Sequence, residues 1–553
     1  MKKFLILILL IILSSSAYAQ KNTIKLLAVS QETNEGTAVD LDLTVIDGSG
    51  KIFMETYPLS QIDTQISLRV AKMIACETSK EYCLDKDFMY SMKTASPVIA
   101  GPSAGAAMTL LTMASLENKN LDAHTVITGT INSGGVIGPV GAIKEKVKAA
   151  ENAGMKKVLI PGGELNSSEI DEIKNESKIS LIEVSNIDEA YAIFTGTNKE
   201  NKEIVVDAEY QSIMRSMNRE ICERNEELLA QIKDINDSAH EKIKKMAINL
   251  SEESKILYSE GKFYSSSSRC FGSNVYAREI LSETSNSTNS ETQNQSLEIQ
   301  KKLIELEKFL NSTKITNLGQ LEAAMIIRER IFDARDNLKE GNTSKRSVSY
   351  ALERAYSADS WKNFMEKSGK NIDETKLKES CSAKINEVNE LYNYVSIYTP
   401  SLLKETKEEL DNARSYLKTE DYALCLFKAS KSKADIDVLL GALYASTSDI
   451  SYLVDSKILA AKNKIIKQIE SGTFPVLGYS YYEYATALKD KDQYMALLYA
   501  EYGIELSNLD IYFPQKKPFE FKIDFLLGAV SLFVIFLCVF ALKKQHKRRI
   551  TLK

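Results

Sequence analysis

Ala100-Gly101-Pro102-Ser103-Ala104-Gly105, running straight into the apolar stretch 106–116, is the first of two segments that decide how this 553-residue chain reads. The second is Gly135-Val136-Ile137-Gly138-Pro139-Val140-Gly141-Ala142-Ile143-Lys144-Glu145-Lys146, again leading into a helical pattern. Between them Val126-Ile127-Thr128-Gly129-Thr130-Ile131 is β-prone. Gly-Pro-Ser-Ala-Gly sets Ser103 where a turn becomes a helix, and a helix start offers amide donors and the positive end of a dipole. A serine attacking a carbonyl needs donors where negative charge develops on oxygen. It also needs a base, because a neutral hydroxyl is a weak nucleophile.

Histidine is a poor source for that base. The chain has three, and His240 and His546 lie outside this region while His124 reads as structural. A lysine serves instead when burial lowers its pKa. Lys144 follows a glycine-rich, apolar approach that can bury it, and Lys146 is the second candidate. Taken singly, Ser103 reads as a capping serine and Lys144 as a surface residue alternating with Glu145. Taken in order, with Thr128 between them, they form a specific set.

That set resembles the proteolytic domain of the Lon family of Ser–Lys peptidases. The resemblance covers roughly Lys21 to Asn198 and rests on Gly101–Gly105, Thr128-Gly129 and Pro139–Lys146. It implies an α+β proteolytic domain and a serine endopeptidase activity on polypeptide substrates. Ser103 would be the nucleophile and Lys144, 41 residues further on, the general base, preferred to Lys146 by alignment. Thr128 would help to hold the lysine, with Gly101 and Ala104 supporting the nucleophile turn. The family also implies a homo-oligomeric ring, with no cofactor and no metal. Ala100 and Thr130 stand where members often carry acids.

The ends of the chain carry different signals. Residues 1–19 read as a secretory signal peptide: Lys2-Lys3, an apolar core from Phe4 to Leu13, and Ala17-Tyr18-Ala19. Phe525 to Leu542 is an 18-residue apolar segment, about 27 Å long as a helix, followed by Lys543, Lys544, Lys547, Arg548 and Arg549. The expected topology is a single-pass protein of the cell membrane, held in the bilayer through 523–542. Its body would lie outside the cytoplasm and its basic tail, 543–553, inside.

The net charge of −5 argues against nucleic acid as a partner. No phosphate-binding loop is present, since Gly50-Lys51, Gly261-Lys262 and Gly369-Lys370 lack the earlier glycine and the following hydroxyl. No nucleotide partner is therefore expected, and the action should be independent of ATP. A zinc site of the His-Glu-x-x-His type fails because Lys244 stands at the second ligand position after His240-Glu241.

Residues 20–200 are thus expected to be the proteolytic domain. Residues 201–520 become rich in Glu, Lys, Leu and Ala with helical spacing, interrupted by a Ser/Thr/Asn/Gln stretch at 282–296 that reads as a flexible loop. Tyr258–Tyr264, Tyr416–Tyr422 and Leu488–Tyr494 share one shape: a helix end, a polar turn and an aromatic helix start. They weakly resemble the helical hairpins of tetratricopeptide arrays. Of seven cysteines, six lie outside the apolar segment, and the repeat favours Cys222–Cys270 and Cys381–Cys425 with Cys76–Cys83 as a local pair. The helical region reads equally as a docking surface or as a stalk. The competing function is an inactive Lon-fold scaffold that uses this region as a receptor.

Overall fold

The computed structural model describes residues 21–513, apart from short segments at 31–32, 80–82, 100, 198–201, 236, 286–288, 340–343 and 445–449. The expected signal peptide (1–19), apolar segment (523–542) and basic tail (543–553) lie outside the described residues. Among those described, no helix is long and apolar enough to cross a membrane.

The first four strands are β1 (Lys21–Val29), β2 (Gly36–Asp47), β3 (Ile52–Ser60) and β4 (Lys86–Ile99). They form one sheet in the order β1-β2-β4-β3, with only β3 and β4 parallel. Strict alternation explains its sidedness: Val39, Leu41 and Leu43 of β2 are buried, while Asp40 between them is exposed. Helices α1 (Ile62–Ser79) and α2 (Gly105–Leu116) share a core with the buried side, joining Leu68, Ala71, Ile74, Ala107 and Leu111 to Leu41, Leu43, Phe88 and Tyr90. A disulfide from Cys76 to Cys83 ties the end of α1 to the approach of β4.

Strand β5 (Thr125–Ile127) begins a second, parallel sheet. After it comes a tight hairpin, β6 (Thr130–Asn132) and β7 (Val136–Gly138), closed by a turn at Ser133–Gly135. Helix α3 (Ile143–Asn152) leads to β8 (Lys157–Pro161), α4 (Ser167–Glu176), β9 (Ser180–Val184) and α5 (Ile187–Thr195). The sheet order is β5-β8-β9. This α+β architecture agrees with the expectation for the first 200 residues.

The rest is helical: α6 (Ala208–Ile232), α7 (Glu241–Ser259), α8 (Phe263–Thr284), α9 (Asn289–Ser312), α10 (Leu318–Asn337) and α11 (Lys345–Ser360). Then follow α12 (Leu377–Tyr398), α13 (Lys404–Lys418), α14 (Tyr422–Tyr444), α15 (Ile450–Glu470), α16 (Val476–Leu488) and α17 (Gln493–Leu506). The three repeated turns join α7 to α8, α13 to α14 and α16 to α17. Two disulfides, Cys222–Cys270 and Cys381–Cys425, each link the helix before such a hairpin to its second arm, with Cα atoms 5.2 and 5.9 Å apart.

The flexible loop expected at 282–296 is corrected. Helix α8 continues to Thr284, and α9 covers the stretch from Asn289 onward. Composition misled because the polar residues are themselves inside: Thr292 and Ser296 are buried on the same stripe as Ile299 and Leu303. Spacing at i, i+4, i+7 and i+11 is that of an amphipathic helix. Hydrogen exchange should show amides from Gln293 to Ser296 protected like the rest of the helix, whereas a loop would exchange them within seconds.

The described residues from Lys21 to Phe513 form one compact unit, so the helical region packs directly against the α+β part. A buried ion cluster runs through the junction with the α+β part. Lys457 of α15 pairs with Glu501 of α17 at 2.6 Å, both fully buried, and donates to the carbonyl of Ser133 at 3.1 Å. Ser133 in turn donates to Glu501 at 2.6 Å. Glu77 of α1 meets Lys464 at 3.3 Å, and Lys433 of α14 at 3.9 Å. Beside them Val136 shares a small apolar cluster with Ala460, Ala461 and Ile504.

Candidate active site

Ser103 sits in a single 3-10 turn, Pro102–Ala104, that opens directly into α2. Gly101 enters the turn at φ 99° and ψ 151°, a conformation that L side chains rarely adopt. The turn is clamped to the end of β5. The Ser103 carbonyl accepts the Gly129 amide at 2.9 Å and the Thr128 hydroxyl at 3.4 Å, and the Ala106 amide donates to the Gly129 carbonyl at 3.0 Å. Gly129 permits this approach, since a Cβ there would lie 2.5 Å from Ile137 Cγ2. Ser103 and Ala104 are half-buried, so the nucleophile turn is reachable from solvent. Behind it, Pro102 shares a small cavity with Tyr394 and Asp437 of the helical region.

Thr128 thus also braces the serine turn. Its hydroxyl is used on the Ser103 carbonyl, and its amide donates to Leu159 of β8 at 3.1 Å. At the helix start, the Gly105 and Ala106 amides are already spent on Pro102 and Gly129.

The two candidate lysines lie on opposite sides of α3. Ala142 takes a left-handed conformation (φ 58°, ψ 46°) and its carbonyl accepts the Lys146 amide, starting the helix. Residues two apart on a helix point about 200° away from each other. The buried stripe is Ile143, Lys146, Val147 and Ala150, and Lys144 falls outside it. Lys144 is 44% exposed and pairs with Glu172 at 2.5 Å and with Glu176 at 3.8 Å. Its hydrogen bond to Glu172 holds its pKa above the ordinary lysine value. An ammonium so placed is a poor proton acceptor near neutral pH.

Lys146 is the opposite case. It is 4% exposed, and among the described residues its ammonium has no hydrogen bond or ion pair. Burial pushes its pKa down to about 8, only partly countered by the charge of Glu164. Glu164 follows β8 and is itself shifted upward by burial, with Lys146 pulling it down. The lysine is thus felt at the same ends of the parallel strands, β5 and β8, where the serine turn is clamped. The signal was in the sequence: the apolar spacing Ile143, Val147, Ala150 places position 146 on the inward face, and 144 outside it.

Residues 22–195 match the Lon protease (S16) C-terminal proteolytic domain. The chain carries a Lon-type serine protease domain. Lon proteases show the same likeness directly. That of Lachnoclostridium phytofermentans is 28% identical over 160 residues, which is 28% of this chain and 20% of that protein. The Buchnera aphidicola enzyme is 33% identical over 133 residues, covering 23% of this chain and 17% of its own length. The Methylocella silvestris enzyme is 31% identical over 164 residues, covering 28% and 20%. This chain therefore spans about a fifth of the length of the curated relatives it matches. The Lon domain is shared, and the helical region lies outside the matched residues.

Proposed function

We propose that the chain is a serine endopeptidase in which Ser103 attacks the peptide carbonyl and Lys146, rather than Lys144, is the general base. The observation that carries this reading is a buried lysine with no ion pair among the described residues, its pKa depressed to about 8, in the Lon domain. In the neutral state Lys146 takes the Ser103 proton as the Oγ–carbon bond forms. It then returns that proton to the leaving amine, and water repeats the cycle on the acyl-enzyme. With the Gly105 and Ala106 amides occupied, the Ser103 and Ala104 amides of the turn are left to receive the oxyanion.

The proposal extends to setting. The protein would be tethered through 523–542 with its body outside the cytoplasm, act without ATP on peptides and unfolded segments, and assemble as a ring. Purified full-length protein should degrade casein without added ATP, and Ser103→Ala should abolish cleavage. Equal cleavage by both would remove Ser103 from the reaction and favour the scaffold reading.

A base works deprotonated, so activity should rise with pH. Below the Lys146 pKa, kcat/KM should climb about tenfold per pH unit and level off above about 8. A profile flat from pH 6 to 9 would count against Lys146.

A further inference from the structure

The helical region encloses a second cavity, of about 290 Å³, to which the Lon domain contributes no wall. Its walls combine aromatic rings with charged side chains. Tyr264 lies edge-on to Tyr481 and Tyr484, with ring centres 6.0 and 6.1 Å apart, and Tyr484 lies edge-on to Tyr499 at 4.6 Å. Tyr481 and Tyr484 of α16 thus face a space as well as a core.

The charges around it do not cancel. Glu329 is paired by Lys428 at 3.0 Å and Lys431 at 3.4 Å, Glu409 by Lys428 at 3.1 Å, and Asp333 by Arg354 at 2.8 Å. Arg330 remains. Among the described residues it has no hydrogen-bond or ion-pair partner, and its buried Nε is unsatisfied. Tyr264 and Tyr481 are more than nine-tenths buried, and their hydroxyls likewise find no partner among the described residues. A buried donor is normally satisfied, and leaving the Arg330 Nε without an acceptor is costly. Arg330, Tyr264 and Tyr481 line the same cavity.

We propose that this cavity is a binding site for a carboxylate, the free C-terminal end of a polypeptide. A guanidinium presents two parallel N–H groups that match the two oxygens of a carboxylate. Two phenols supply further donors, and the aromatic rings accept an apolar side chain. A single negative charge balances the one unpartnered cation, whereas Glu329, Asp333 and Glu409 in the same walls disfavour a dianion such as phosphate. So small a space takes a chain end rather than the middle of a strand. A site of this kind would hold substrates by their ends beside the Lon domain. That role rests on the peptidase reading, but the binding does not.

The test uses the full chain carrying Ser103→Ala, so that no ligand is consumed, and acetyl-Ala-Ala-Leu with a free carboxylate or as its amide. Calorimetry should show saturable binding of the acid, with the amide about 30-fold weaker. Arg330→Gln should weaken the acid to a similar degree, Arg330→Lys should restore part of it, and Tyr481→Phe should cost about threefold to tenfold. Should Arg330→Gln fail to fold, the acid–amide comparison on the unaltered site decides alone. The proposal is overturned if acid and amide bind alike, if the acid does not bind, or if a folded Arg330→Gln binds like its parent. Displacement of the peptide by inorganic phosphate at equal concentration would also overturn it. Loss of casein cleavage as a property of the protein would leave these outcomes readable.

Discussion

Lys146→Met should lower kcat/KM for peptide hydrolysis by about 10³-fold, while Lys144→Ala should change it by no more than about threefold. Methionine fills the volume of a buried lysine stem, so the loss should come without a comparable loss of fold. Both lysines stand two residues apart on one helix, yet only one is out of water. The exposed Lys144–Glu172 pair contributes little even to stability, because solvent screens it. The measurement is steady-state hydrolysis of a fluorogenic peptide by each variant, with thermal unfolding beside it. The reverse ranking, with Lys144→Ala inactive and Lys146→Met active, would return the base to the outer face of α3 and sink the mechanism proposed here.

The second large effect concerns stability. Glu501→Gln should destabilise the protein by about 3–5 kcal/mol, because Lys457 is left charged, buried and without its anion. The double change Lys457→Met with Glu501→Met should cost much less, since removing both charges also removes the need to keep them out of water. Unfolding by denaturant for Lys457→Met, Glu501→Met and the double gives the coupling directly. If the singles and the double prove additive, the pair does not act as a unit. Asp437 belongs to the same cluster, and burial holds its pKa above the ordinary carboxylate range, countered in part by Lys433 at 3.2 Å.

Much of the fold was open to reading from residues alone. Alternation in β2 and the Gly-Pro-Ser-Ala-Gly turn before α2 announced the α+β part. The three aromatic-flanked turns fell where helices pair, and the cysteine offsets anticipated the bridges from Cys222 and Cys381. The choice of lysine was harder because the family resemblance pointed to Lys144, whereas helical periodicity puts Lys146 on the inward face. The bond from Thr128 to the Ser103 carbonyl could not be read beforehand, because a hydroxyl's acceptor depends on which backbone arrives beside it. Residues 282–296 looked like a loop because burial of Thr292 and Ser296 depends on neighbours distant in sequence. The cavity around Arg330 left no trace at all: its walls come from helices brought together only by folding.

Because Ser133, Gly134 and Val136 are covered by α15 and α17, the first 200 residues are not a portable module. Cutting there would strip the cover from Ile504's partners and strand Glu77 without its lysines. Anyone seeking a minimal peptidase should therefore trim from the outer helices inward and keep the last two hairpins. A truncation at residue 200 is expected to go to inclusion bodies.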